Sequence, residues 1–566
     1  MPLESPHTAF NLAITRLNNK NLVDLWLTSG LLSCIDCFDS LTQRQNFLMP
    51  TVNVENVSML QRAILRSSST EKKLAPFTAL DWTYVHNNLI SATTRPGLLE
   101  GPEPGEVRLR RFLATLANSQ FRFQENSIFD RLGRAYALLH VIPTENRDTL
   151  RSLQKERFLD LPTVIPQAIG MSVKEFLFLG FACIALISSR FQANFVVSDE
   201  LRAYTAPGQR DTLRRHAEVI ESFLTNIRQY RNWLPFQATD LIVQDLPITS
   251  LDTIQTYLGH FAKTTRELRD IAAKRPEYSE GHIPDRLHPL ERYPIVRLDD
   301  GRYIIPNLRY FLMTLTEGLH YLLQEAYPDD RYNQLRGYIQ ELYLKELLTD
   351  RLPAATLLPE TSYQKAKQRV DGPDITFIED TDPVLLAIES KAKRMRIATR
   401  VAPASAALID DLDRVFKALE RLPGKIADLY AQLPEYAPLQ ERIDETKGKA
   451  PIAWVVVGEG VYLLPELIYD HVQQTPGHFL QTFPYPYGVM ALDIFEDAVE
   501  LAASLPMPLH SLLYEYWQNS MRINDFNSPL AQSLNGRTTS KQDRFVLKYV
   551  TMLFAGITTP PWERPD

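Results

Sequence analysis

The chain has 566 residues, of which 45% are hydrophobic and 23% are charged, and its formal net charge is −7. This composition is ordinary for a folded protein, and the length predicts two or more domains. The negative net charge argues against a surface that is basic throughout, although a local positive groove is compatible with it. The first residues lack the basic segment and apolar run of a secretory signal, and the apolar run Phe176–Ile187 is too short to cross a bilayer. With three cysteines, which fit a reducing compartment, we expect a cytoplasmic protein without a membrane partner.

Residues 1–275 carry apolar side chains at three- and four-residue spacing, which predicts a mostly helical domain. The predicted helical segments are Phe10–Leu32, Val107–Ala117, Ile128–His140, Val173–Ser188, Leu213–Tyr230 and Ser250–Ala273. Cys34 and Cys37 have C-x-x-C spacing. We interpret them as two small core or surface residues, and a redox pair or half a zinc site stays open. No motif in this region carries chemistry, so we expect a role in recognition, regulation or assembly, through a protein partner or self-association.

Residues 276–334 are predicted to form a linker, a β-hairpin and a connecting helix. Asp299-Asp300-Gly301 separates the apolar-bearing segments Tyr293–Leu298 and Arg302–Ile305, and Asp-Gly between such segments predicts a hairpin. Leu308–Glu325 follows as a helix.

The stretch from Asp371 to Arg400 predicts two buried strands, Ile375–Ile378 and Val384–Ile388, joined by a polar turn. A turn centred between Thr381 and Asp382 places Asp374 opposite Glu389. Side chains alternate along a strand, so Glu389 and Lys391 share one side and Ser390 lies on the other. Two carboxylates and a lysine are therefore predicted to converge at one mouth of the sheet.

Converging carboxylates at a sheet edge suit a hard metal ion. Mg²⁺ takes oxygen ligands and keeps several waters, so one or two carboxylates and a substrate phosphate complete its shell. The ammonium of Lys391 could position a metal-bound water or stabilise developing charge on a phosphate. The alternative is a surface hairpin whose terminal charges are solvated.

The order Pro373-Asp374, hairpin, Glu389-Ser390-Lys391 resembles the PD-(D/E)xK nuclease superfamily. The resemblance covers roughly residues 335–500 and implies a restriction-endonuclease-like mixed sheet flanked by helices, following the helical N-terminal region in an α+β or α/β fold. It implies that Asp374 and Glu389 bind Mg²⁺, with Mn²⁺ as a substitute, that the carbonyl of Ser390 adds a ligand, and that Lys391 serves the attacking water.

The family usually supplies another acid from a helix before the hairpin. The apolar spacing of Leu335–Leu348 predicts such a helix. Glu341 resembles the helical acid of the family, and Glu346 is the next candidate. The other reading of Glu341 is an exposed residue that pairs with Lys345 at i,i+4.

Basic residues flank the predicted hairpin and could contact a nucleic-acid backbone, or could be solvated loops. They are Lys393, Arg394 and Arg396 after it, and Lys365 and Lys367 before it. Tyr363–Val370 is predicted as the first strand of the sheet.

The later elements complete the predicted fold. The helix Ala404–Leu422 follows the hairpin, with Lys417 as the candidate for the polar residue that many family members place on this helix, and Pro451–Val457 and Tyr487–Ile494 are predicted strands. Residues 501–566 are expected to form a helical extension, with Leu509–Trp517 and Phe545–Phe554 as helices.

These features predict a Mg²⁺-dependent deoxyribonuclease, with restriction or phage defence as a setting suggested by association, and they leave endonuclease or exonuclease action open. Two other functions stay open. One is a catalytically inactive, nuclease-like protein that binds nucleic acid or acts as a scaffold, and the other is an RNA-directed nuclease, since the site chemistry does not distinguish the two backbones.

Overall fold

The computed structural model describes most of the chain. The described residues are 6–41, 54–73, 75–78, 81–82, 84–85, 88–89, 128–194, 232–242, 250–274, 287–327, 329–358, 361–365, 368–392, 406–431, 434–458, 472, 477–505, 507–520 and 544–555. Within them the protein is a mixed α/β structure in which helices predominate.

Helices make up the N-terminal part and flank the later sheet. The α-helices are Pro6–Leu17, Leu22–Leu41, Val54–Arg66, Ile128–Tyr136, Ile142–Glu145, Arg147–Gln154, Leu161–Ile169, Val173–Asn194, Leu251–Phe261, Thr265–Lys274, Leu308–Met313, Leu319–Ala326, Arg331–Arg351, Ala406–Tyr430, Gln440–Glu445, Leu492–Ser504, Leu509–Ser520 and Phe545–Leu553. Two π-helical segments, Ala137–Val141 and Thr314–Gly318, continue helices without a break.

The strands form three sheets in the described part of the chain. They are β1 Ala262–Thr264, β2 Ile295–Arg297, β3 Tyr303–Ile304, β4 Ala355–Leu358, β5 Ser362–Lys365, β6 Gln368–Asp371, β7 Ile375–Glu379, β8 Leu385–Lys391, β9 Ile452–Val457 and β10 Tyr487–Ala491. Strands β1–β3 form one small sheet, and β5 and β6 form a separate hairpin. The main sheet has the order β10-β9-β8-β7-β4, in which β4, β7 and β8 are antiparallel and β8, β9 and β10 are parallel.

Both faces of the main sheet are buried, because β7, β8 and β9 are apolar at nearly every position. Helix Ala406–Tyr430, hereafter the front helix, packs with Leu385 and Ala387 on the front face. Helix Arg331–Arg351, hereafter the rear helix, packs with Leu386 and Ile388 on the rear face.

The rear core of the sheet is continuous with the N-terminal core. One buried apolar cluster runs from Ala9 to Phe554 and includes side chains from the N-terminal helices, the rear helix and the sheet. Arg134 donates to Glu496 at 2.6 Å and so joins Ile128–Tyr136 to Leu492–Ser504. The helical N-terminal region therefore packs directly behind the sheet.

No single described helix is both long and apolar enough to cross a bilayer. The bent pair Leu161–Ile169 and Val173–Phe191 reaches the required length and composition only when taken together across a 53° bend. Phe176, Leu177 and Cys183 of this pair are buried in the core.

The C-terminal helix Leu509–Ser520 packs against the end of β7, as expected for a tail that returns to the core. The Glu379 carboxylate, only 7% exposed, accepts hydrogen bonds from the backbone N–H groups of Leu509 at 2.8 Å and His510 at 3.1 Å. A carboxylate at a helix N-terminus satisfies donors that lack intrahelical partners.

The register of the β7–β8 hairpin is confirmed, since Ile375 pairs with Ile388 and Ile378 with Leu385. The hairpin around Asp299-Asp300-Gly301 is also present as β2 and β3. The prediction for Tyr363–Val370 was wrong. This segment forms the separate β5–β6 hairpin, and the more apolar Ala355–Leu358 is the edge strand of the main sheet.

Several element boundaries differ from those predicted. Ser250–Ala273 is interrupted by β1, which pairs with the distant β2, a partner that helical spacing cannot reveal. Phe10–Leu32 is two helices separated by the polar residues 18–21, and Tyr487–Ile494 turns helical at Leu492. Val107–Ala117 and Leu213–Tyr230 lie outside the described residues.

Candidate active site

The predicted convergence of charges occurs at the carboxyl end of β8. Asp374 directly precedes β7, while Glu389 and Lys391 end β8 and project to the front face. Ser390 projects to the rear. The strand geometry alone produces this arrangement, because residues two apart share a face and the hairpin register places Asp374 beside Glu389.

The ammonium of Lys391 lies at the centre of three oxygen atoms. Its Nζ is 2.9 Å from Glu389 Oε2, 3.3 Å from Asp374 Oδ2 and 3.1 Å from the carbonyl oxygen of Ser390. The backbone N–H of Ser390 also donates to Asp374 Oδ2 at 2.8 Å, which fixes that carboxylate against the strand. The two predicted carboxylate ligands and the predicted carbonyl ligand therefore surround one cation.

A second lysine, Lys425 of the front helix, completes this group. Its Nζ donates to the carbonyl oxygen of Gly372 at 2.8 Å and contacts Glu389 Oε1. We call Asp374, Glu389, Lys391 and Lys425 the charged cluster. The sequence-based candidate on this helix was Lys417, which is exposed and lies eight residues earlier. Lys425 was missed because the helix was expected to end at Leu422, before Pro423, whereas it continues to Tyr430.

The charges of the cluster balance and shift each other's ionisation. Burial raises the pKa of Asp374 above its ordinary value and the Glu389 carboxylate raises it further, although both lysines oppose the shift. Burial disfavours the Lys391 ammonium, but Asp374 and Glu389 outweigh this effect and raise the pKa of Lys391. Lys391 is therefore a cation at neutral pH, suited to stabilising negative charge and unsuited to accepting a proton.

The rear helix supports the cluster from behind through Gln340, which is 2% exposed. Its Nε2 donates to Ser390 Oγ at 3.1 Å and to the carbonyl oxygen of Val456 at 3.2 Å. A Cβ added at Gly458, just after β9, would lie 2.7 Å from Gln340 Oε1. Glycine at position 458 therefore leaves room for the Gln340 side chain beside the end of β9.

The two acids considered for the rear helix lie in different surroundings. Glu341 is partly exposed and directly follows Gln340 on the helix that packs behind the sheet. Glu346 accepts hydrogen bonds from Lys548 Nζ at 2.6 Å and Tyr549 Oη at 2.9 Å, which ties it to the helix Phe545–Leu553. A catalytic role of Glu341 stays a prediction.

The predicted nucleic-acid contacts fall mostly beyond the described part of the chain. Lys367, Lys393, Arg394 and Arg396 lie outside it, and Lys365 is described only as a backbone position of β5. The Cys34 side chain is buried in a helix, and the side chain of Cys37 is not among those described.

The donor set at the cluster fits Mg²⁺ in type and number. Among the described residues no group of three or more His, Cys, Asp and Glu side chains is gathered as a ligand set. Mg²⁺ does not require such a cage, because it is commonly held by one or two carboxylates with waters and substrate phosphate. Asp374, Glu389 and the Ser390 carbonyl already place three hard oxygens around the Lys391 ammonium, which stands in for a bound cation.

Comparison with protein-family models, curated proteins and solved structures finds no match for this chain.

Proposed function

We propose that the protein is a Mg²⁺-dependent nuclease that hydrolyses phosphodiester bonds of DNA. The observation that carries this proposal is the convergence of Asp374 Oδ2, Glu389 Oε2 and the Ser390 carbonyl on one cationic position at a buried sheet edge. Removing charges from water is costly even when they are paired, so four of them gathered at one end of a buried strand favour a functional site.

The order of elements also supports the proposed relation to the PD-(D/E)xK superfamily. The rear helix, three antiparallel strands, the front helix and the parallel strand β9 follow one another along the chain. A mixed sheet between helices is compatible with the fold that the resemblance of Asp374, Glu389 and Lys391 implies.

Each member of the charged cluster has a distinct role in this proposal. Asp374, Glu389 and the Ser390 carbonyl would hold Mg²⁺, which would supply Lewis-acid polarisation of the scissile phosphate. With a metal bound, Lys391 would orient the attacking water and stabilise negative charge on the phosphate. Lys425 contacts Glu389 Oε1 and so fixes the orientation of the Glu389 carboxylate.

The test uses the purified full chain with plasmid, linear and single-stranded DNA and with RNA, each in Mg²⁺, Mn²⁺ or EDTA. We expect metal-dependent cleavage of DNA, with loss of at least about a hundredfold in Glu389→Gln and Lys391→Met, because each removes a group that contacts metal or substrate. The matched controls are Glu441→Gln and Lys274→Met, two exposed residues outside the cluster, which should keep wild-type activity.

Three results would decide against the proposal. Cleavage that persists in EDTA, or that is equal in wild type and both cluster variants, would remove the charged cluster from the chemistry. Cleavage of RNA alone would support phosphodiester hydrolysis at the charged cluster but would show that the substrate is RNA and not DNA. A role in restriction or phage defence stays a prediction beyond this test.

A further inference from the structure

The front helix carries a row of exposed cations that leads towards the charged cluster. Arg414, Lys417 and Arg421 are exposed, and Lys425 follows at the same three- and four-residue spacing. At about 100° per residue all three lie within about 80° of Lys425 around the helix axis, on one side of it. We call Arg414, Lys417 and Arg421 the basic stripe.

Among the described side chains of the same helix, Asp413 and Glu420 border the stripe within one turn of Lys417, but neither makes an ion pair with a stripe residue. Asp413 and Glu420 lie about 120° and 140° from Lys425 around the helix. Burial lowers the pKa of His478, and Asp413 and Glu420 both oppose this shift, so the two carboxylates also face His478. Asp428 accepts a hydrogen bond from Tyr363 Oη at 2.6 Å.

The stripe cations also lack ion-pair partners within the described part of the chain. None of the three makes a salt bridge or hydrogen bond to a described residue, whereas many other basic side chains, such as Arg147, Arg292 and Lys449, are paired. An unpaired row of like charges has a repulsive self-energy that a bound polyanion relieves.

The length of the stripe matches a short run of nucleic-acid backbone. From Arg414 to Lys425 the helix advances about 16 Å at 1.5 Å per residue. One DNA strand advances about 3.4 Å per nucleotide, so the stripe and Lys425 together span about five phosphates. Its last member lies one helical turn before Lys425, which touches the proposed metal ligand Glu389.

We propose that the basic stripe binds the phosphodiester backbone and guides a nucleic-acid strand into the charged cluster. This inference rests on the proposed nuclease function and names the surface through which that site receives its substrate. The stripe binds without reading sequence, because backbone contacts position a strand and base contacts specify it.

The test compares wild type with the triple variant Arg414→Gln, Lys417→Gln and Arg421→Gln. Affinity for labelled 20-nucleotide single-stranded DNA, duplex DNA and RNA is measured by fluorescence anisotropy in EDTA between about 50 and 200 mM salt. Three lost phosphate contacts lower the salt slope by about 2 for single strands and about 3 for duplexes. Wild type should therefore lose roughly 20-fold to 40-fold more affinity than the variant over this range.

The matched control removes three other exposed cations that lack ion pairs with described residues, through Arg66→Gln, Arg266→Gln and Lys274→Gln. It changes net charge equally and should keep the wild-type slope. If the salt slope of the triple variant equals that of wild type, or if the slope of the control falls equally, backbone binding by the basic stripe is refuted. Hydrolysis of bis(p-nitrophenyl) phosphate by wild type separates the two proposals, since it tests the cluster without needing the stripe. If that hydrolysis is absent while the slope still falls, the stripe stands and the nuclease proposal fails.

Discussion

Replacing Lys425 by methionine tests whether the two lysines and two carboxylates act as one unit. The Lys425 side chain is 14% exposed and the Glu389 side chain 5% exposed, and they are in direct contact. Removing one partner of a buried ion pair costs about 3–5 kcal/mol, because the remaining charge stays buried without compensation. Lys391 still contacts Glu389 at 2.9 Å, so we expect the lower end, about 3 kcal/mol.

The loss should be local to the strands around the cluster, so the assay is amide hydrogen exchange followed by mass spectrometry. Peptides that contain β8 should exchange about a hundredfold faster in Lys425→Met than in wild type, since about 1.4 kcal/mol corresponds to tenfold. Lys417→Met is the matched control on the same helix and, being exposed, should change exchange by less than about threefold.

A double-mutant cycle with Glu389→Gln identifies the partner. If Lys425 acts through Glu389, Lys425→Met should destabilise the β8 region only slightly when Glu389→Gln is already present. The coupling free energy between the two substitutions should then be about 2 kcal/mol or more. Mg²⁺ should slow exchange in Lys425→Met more than in wild type, because the metal replaces the missing positive charge. Equal costs in both backgrounds would refute the reasoning.

Three further predictions concern residues behind the cluster. His320 is held neutral, since burial together with Arg336 lowers its pKa well below the ordinary value, and its Nδ1 lies 3.2 Å from Tyr332 Oη. Below about pH 6.5 His320 binds a proton in the unfolded chain but not in the folded chain. The free energy of unfolding of wild type should therefore fall by about 1.4 kcal/mol between pH 7.5 and 5.5, and that of His320→Gln should not show this fall. The thermal unfolding midpoint measured against pH checks this, and parallel profiles would contradict it. Gly458→Ala should lower nuclease activity at least about tenfold, because the new Cβ displaces Gln340. Gly337→Ala on the rear helix has nothing within 4 Å of the new Cβ and should raise the free energy of unfolding by about 0.5–1 kcal/mol.

The hairpin that carries Asp374 and Glu389 was predictable because its determinants are local. Two apolar runs and one short polar turn fix both the strands and their register, and the register fixes which side chains share a face. The pairing of Ile375 with Ile388 confirms that reasoning. Sequence alone therefore predicted where Glu389, Ser390 and Lys391 point.

Lys425 and Gln340 were not predictable because their roles depend on packing between distant segments. Lys425 reaches Glu389 only because the front helix continues through Pro423, a residue that normally ends or kinks a helix. Gln340 and Glu341 are neighbours in sequence, and their different positions around the rear helix place only Gln340 against Ser390. Helical spacing does not determine that rotation near the end of an apolar face.

An acidic chain can still recruit a polyanion if its positive charge is concentrated where the substrate must arrive. The net charge of −7 belongs to the whole chain, while steering depends on the local field within about one Debye length, near 8–10 Å at physiological salt. Inside the charged cluster, two lysines balance two carboxylates, so the cluster alone attracts phosphate weakly until a divalent cation adds its charge. The basic stripe begins about 6 Å from Lys425 along the front helix, within that length. Binding by the stripe and catalysis by the metal are then separable steps, and Glu389→Gln should abolish cleavage while DNA affinity in EDTA remains.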